Sequence, residues 1–172
     1  MTHPLVEQLR FARSEWGRAL DGVSEEEAQR RFLPMNCISW MVGHMAWHEH
    51  FYWVHVAQGR NVAPHLEELV GNSRPASTPG LKEMWETWRK VTQAADDYLE
   101  SLTSAELARH LRYGGKEVSQ SVGTMLQRVI YHYWYHIGES QAVRQLLGHP
   151  DLPEFVGDIG SEAPYRPEEI RV

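Results

Sequence analysis

Residues 130–141 read IYHYWYHIGESQ and place His132 and His136 four positions apart inside a run of aromatic side chains. On an α-helix each residue advances by about 100°, so a step of four returns to within about 40° of the same direction. The two imidazoles therefore share a face. Met125, Val129 and Val143 fall in the same sector, so that face is turned to the interior. Glu139, further along, lies within about 20° of His132. The helical pattern extends outward from about Ser121 to Leu147 and is closed by Gly148 and Pro150. Two inward histidines on such a helix are either core residues with satisfied hydrogen bonds or two arms of a metal site.

A second histidine-bearing helix is expected from Ser39, as N-cap, to Gln58, with Gly59 ending it. His44, His48, Phe51 and His55 line one stripe of it, with Trp40, Met41 and Trp47 at the margins, and His50 is set aside as a surface residue. A His pair at i, i+4 is a common way for one helix to give a metal two ligands. In helical bundles a facing helix completes such a set.

The rest of the chain is read as two more long helices. One starts at Pro4, capped by Thr2 or His3, buries Leu5, Leu9, Ala12, Trp16 and Leu20, and stops at Asp21–Gly22. The other is expected from a Thr78 cap and Pro79 to about Leu102. Capping boxes at Ser24 and Thr103 open short helices. The connection over 60–77, with a short turn around His65 to Val70, is long enough to permit a crossover. RYGGKEVSQS (112–121) is read as loop, and residues from about 150 to 172 as an extended or poorly ordered tail. The expectation is an all-α protein: a four-helix bundle in one domain over 1–172, without repeats.

Composition narrows the function classes. The 172 residues are 42% hydrophobic and 23% charged, an ordinary globular balance. A net charge of −6 argues against nucleic-acid and anionic-membrane partners. Cys37 is the single cysteine, so no intramolecular disulfide can form, which fits a reducing cytoplasm. No signal peptide or membrane span is read, so a cytoplasmic location is expected.

HMAWHE (44–49) and HYWYHIGE (132–139), with QLLGHP (145–150) ending the last helix, resemble the motifs of the DinB/YfiT-like superfamily of four-helix-bundle proteins. The resemblance covers essentially the whole chain. It implies an up-down-down-up bundle, often a homodimer, with a divalent metal on His44, His132 and His136. Imidazole ligands suit zinc and nickel, with iron and copper as alternatives. Some relatives act on small-molecule substrates with a low-molecular-weight thiol such as mycothiol, bacillithiol or glutathione.

Three neutral imidazoles leave coordination positions open, the arrangement of a catalytic site. Thiol transfer and hydrolysis are therefore the expected reactions, with a non-catalytic metal- or ligand-binding protein as the alternative. His48 and Glu139, each one turn from a ligand position, are the candidate acid or base. His48 can also be a pocket histidine or a fourth ligand, and Glu139 is preferred as a partner orienting an imidazole. His55 is placed at the pocket rim, and Tyr133 and Trp134 at a subunit interface. Arg128 and Arg144 are read as solvated or salt-bridged, with an anionic substrate group as the alternative partner, and Cys37 as a buried or bystander thiol.

Overall fold

The computed structural model describes residues 2–167. Four long helices form the core: α1 (Pro4–Ala19), α3 (Ile38–Glu49), α5 (Leu81–Glu100) and α7 (Val122–Leu147). The short helices α2 (Glu25–Gln29), α4 (Leu66–Val70), α6 (Ser104–Ala108) and α8 (Ile159–Glu162) decorate the connections.

Contacts along the helices give their directions. Gln141 and Arg144 of α7 donate to the Ala19 carbonyl at the end of α1, and Trp134 packs on Phe11, so α1 and α7 run the same way. Gly43 meets Met84, while Gln58 beyond α3 donates to the Ala94 carbonyl, so α3 and α5 also run together. Arg13 of α1 pairs with Glu49 of α3 and Asp96 of α5, and His44 and His48 face His136 and His132 in reversed order. The order is up-down-down-up, and the long 60–77 connection carries the crossover between the two parallel middle helices.

Local chemistry explains most boundaries. His3 caps α1 by accepting from the Leu5 N–H, Ser24 and Glu27 form a complete capping box on α2, and Ser121 accepts from Thr124 at the start of α7. Gly148 closes α7 at φ 87°, a left-handed conformation that favours glycine.

Two helix starts differ from expectation. Helix α3 opens after Cys37 rather than Ser39, and Ser39 is buried with its hydroxyl 3.3 Å from the Cys37 sulfur. Helix α5 opens after Gly80, beyond Thr78 and Pro79. Its free N–H groups are satisfied from another element: the Glu25 carboxylate accepts from Leu81 N–H (2.6 Å) and Lys82 N–H (3.1 Å).

Three further expectations are corrected. The segment read as loop pairs as a hairpin, β1 (His110–Tyr113) with β2 (Lys116–Ser121), turning on Gly114 (φ 58°) and Gly115 (φ 80°). Two adjacent left-handed residues suit the tight hairpin turn, whereas strands this short and polar show no alternation in sequence. The tail packs on α1: Gln8 donates to Ala163 O, Gly157 N–H donates to Glu15, and the Arg18 guanidinium lies over Phe155. The end of that expected tail, 168–172, lies outside the described residues.

His50, expected at the surface, is buried, and its Nε2 accepts from Val62 N–H at 3.2 Å. Helix α3 has almost no solvent-facing side, since every residue from Ile38 to Ala46 is buried. The chain at 61–62 wraps the side where His50 lies. Past Glu49 the helix widens into a π-helical segment, His50–Val56, before ending at Gly59. Among the described residues no helix is long and apolar enough to cross a membrane.

Candidate metal centre

Helix α3 supplies the buried His44 from its second turn, and α7 supplies His132 and His136 from one face. Their ligand nitrogens lie within 4.8 Å of one another. His44 is packed flat between two indoles, Trp40 at 4.4 Å and 13° and Trp47 at 5.3 Å and 23°. Gly43 makes this approach possible. A Cβ there would sit 3.0 Å from Val70 Cγ1 and closer still to the Met84 sulfur, so only glycine lets α4 and α5 come this near. The Val70 carbonyl thereby reaches His44.

Hydrogen bonds assign the protons. Val70 O can only accept, so His44 Nδ1–H donates to it at 2.8 Å and the Nε2 lone pair is left free. Glu139 accepts from His136 Nδ1 at 2.7 Å, leaving His136 Nε2 as the acceptor in its 2.9 Å contact with His132 Nε2. His132 Nδ1 then accepts from His48 Nδ1 at 2.8 Å. Glu139, His136, His132 and His48 thus form one hydrogen-bonded chain ending on a carboxylate.

Burial disfavours the charged form of His44, His48 and His132. It lowers His44 to about 4, His48 to about 3 and His132 to about 2, and the neighbouring imidazoles push the same way. At neutral pH these rings carry lone pairs rather than charge, the state in which imidazole binds a metal. The donor set fits a divalent ion: three neutral nitrogens, two of them oriented by acceptors behind the rings.

The cluster borders a cleft of about 720 Å³. His44, His48 and His132 line it, while His136 is buried and does not. His48 is not a member of the ligand cluster; the structure brings it to His132 instead. His55 does not line the cleft and packs against Tyr113 and His50.

Asn72, Gln120, Thr124 and Gln127 line the cleft and were not singled out from sequence. Thr124 and Arg128 precede His132 by eight and four residues, so the helical stripe could have been followed backwards to them. Asn72 and Gln120 come from the crossover connection and the hairpin, and no local signal marks them.

Two other expectations change. Tyr133 is fully buried rather than at an interface, and Arg144 is buried and bonded to the Ala19 carbonyl and His149. Tyr133 belongs to a network with Glu49 at its centre. Arg13 grips the Glu49 carboxylate with two nitrogens, Tyr133 donates to it at 2.6 Å, and Trp88 donates to the Tyr133 oxygen at 2.7 Å. Arg13 also reaches Asp96 at 2.8 Å. Burial, with Glu49 beside it, holds the Tyr133 hydroxyl well above its ordinary value, so it remains a donor. Cys37 is free and buried, as expected of a bystander.

The sequence profile of the DinB superfamily matches residues 8–140. A search of the curated proteins returned no match. The matched span holds most of α1, all of α3 and α5 and most of α7, including His44, His132, His136 and Glu139.

Proposed function

The chain belongs to the DinB superfamily, and from that membership together with its three-histidine cluster we propose a divalent-metal-dependent enzyme that acts on a small molecule by thiol transfer or hydrolysis. The observation that carries this reading is the position of the cluster. His44 and His132 line an open cleft, so a ligand can reach them from solvent. A structural metal would be enclosed on all sides. Zinc or nickel suits three imidazoles best. When bound, such an ion acts as a Lewis acid that lowers the pKa of a water or thiol.

The chain's own residues prepare the site for this. The Val70 carbonyl and the Glu139 carboxylate hold the rings of His44 and His136 in the tautomer that presents Nε2. To bind a metal His132 would need its Nε2 lone pair, so the proton that it carries on Nε2 in the metal-free chain would move to Nδ1, where His48 Nδ1 would accept it. His48 then carries its own proton on Nε2 and lines the cleft, where that N–H can be offered to substrate. Trp40 and Trp47 exclude water from both faces of His44. A cleft of this volume suits a small molecule of modest size. A homodimer, with the exposed Tyr131 and Tyr135 of α7 as contact residues, belongs to the same proposal.

Metal analysis tests the premise. Purified protein loaded with zinc or nickel should hold about one ion per chain, and His44→Ala and His132→Ala should each lose it. Absence of stoichiometric metal in the parent protein under every loading condition would sink the reading. Turnover of thiols with electrophiles, against turnover of simple esters and amides, separates transfer from hydrolysis. A metal-loaded protein inactive in both screens would count for a binding protein instead.

A further inference from the structure

Charge in the cleft is one-sided. Among the described residues that line it there is one fixed cation, Arg128, and no aspartate or glutamate. The nearest acids are committed elsewhere: Glu139 holds His136 from behind, and Glu67 accepts from the Trp47 indole while pairing with Arg74. Three neutral ligands would leave the double charge of a bound ion uncompensated. The chain as a whole carries −6, so a cleft lined by one arginine and no acid departs from the sign of the rest of the protein.

Arg128 is also placed to use its charge. It lies one turn before His132 on α7, on the same side of the helix. Among the described residues its side chain makes one hydrogen bond, Nε to Gln120 Oε1 at 3.2 Å. That bond steadies the guanidinium from the hairpin and leaves both terminal amino groups for a ligand. A guanidinium held by one edge presents a fork that matches a carboxylate. Around it, Trp47, Phe51, Tyr52 and Tyr131 supply apolar and aromatic walls.

We propose that the substrate is a small amphipathic carboxylate, its carboxylate gripped by Arg128 and its apolar body lying along Trp47, Phe51 and Tyr52 toward His44 and His132. The proposal deepens the metal-cleft reading and rests on it for the cleft being the substrate chamber. Arg128 acts as a specificity determinant and takes no part in holding the metal.

The test compares hydrocinnamate with its neutral amide by titration calorimetry, on zinc-loaded and on metal-free protein. The parent should prefer the acid by about tenfold to a hundredfold in both states, as expected for a charge-assisted hydrogen-bonded pair. R128Q should abolish the preference, R128K should restore part of it, and the zinc content of both variants should equal that of the parent. Equal affinity for the two probes, no binding of the acid at millimolar concentration, or a preference that survives R128Q overturns the proposal. A preference that survives R128Q but vanishes on zinc removal assigns the anion to the metal and overturns it too. Zinc content is read independently, so a chain that takes up no zinc but still discriminates through Arg128 sinks the metal reading and leaves this one standing.

Discussion

His136 illustrates how one residue's role is divided among its neighbours. Its Nε2 faces the other imidazoles because Glu139 holds Nδ1 at 2.7 Å. Replacing that carboxylate leaves the ring and removes the anchor. Glu139→Gln should therefore weaken metal affinity by about tenfold to a hundredfold without unfolding the protein, measured by competition with a chelator of known affinity. An unchanged affinity would show that the carboxylate does not orient the ligand.

The buried rings make a second prediction, for the metal-free protein. Folded His44 titrates near about 4 and His132 near about 2, whereas unfolded imidazoles titrate near about 6.5. Between those values the unfolded chain binds more protons, so stability rises with pH. It should be complete above about pH 6.5 and be lost progressively on acidification from there, through about pH 4 for His44 and on toward about pH 2 for His132. Urea midpoints measured across that window should fall with pH, and bound zinc should move the loss to lower pH. A flat profile would contradict burial of neutral histidines.

At the scale of elements, the close contact of α3 with α4 and α5 sets the reach of the Val70 carbonyl. Gly43→Ala adds a methyl where Val70 and Met84 already touch the backbone. It should cost about 1–3 kcal/mol by overpacking and also weaken metal binding, because Val70 moves away from His44. Thermal denaturation and chelator competition read the two effects separately, and a loss of stability alone would sever the proposed link between them.

The same elements show where sequence reading stops. The histidine-bearing faces of α3 and α7 are legible because 3.6-residue periodicity is local, and the resemblance of 44–49 and 132–139 to family motifs picks the ligands from them. The α5 start was misread because its cap, Glu25, comes from a different helix. The hairpin was missed because its strands are short and polar, and the π-helical segment because aromatic-rich sequence fits either helix pitch.

At the scale of the molecule, Glu49 ties the four long helices together. It lies in α3 and is bonded by Arg13 of α1 and Tyr133 of α7; Arg13 continues to Asp96 and Tyr133 to Trp88, both on α5. Breaking a buried ion pair by removing one partner leaves an uncompensated charge, so Glu49→Ala should cost about 3–5 kcal/mol. Tyr133→Phe removes one hydrogen bond to a charged group and should cost about 1.5–3 kcal/mol. Chemical denaturation of both variants checks the ranking. A Glu49→Ala variant less damaged than Tyr133→Phe would mean that the carboxylate is not the centre of the network.

Sequence alone determined the four long helices and the inward faces of α3 and α7, since these depend on periodicity and local caps, and the motif resemblance singled out His44, His132 and His136 on those faces. Only the tertiary structure decided that His48 faces His132, that Glu49 rather than a surface carboxylate joins the helices, and that Arg128, Asn72 and Gln120 border one cleft. Those placements depend on which elements meet across the crossover and the hairpin. The two histidines of IYHYWYHIGESQ acquire a partner in His44 because α3 runs against α7, a relation set by packing the whole chain around one core.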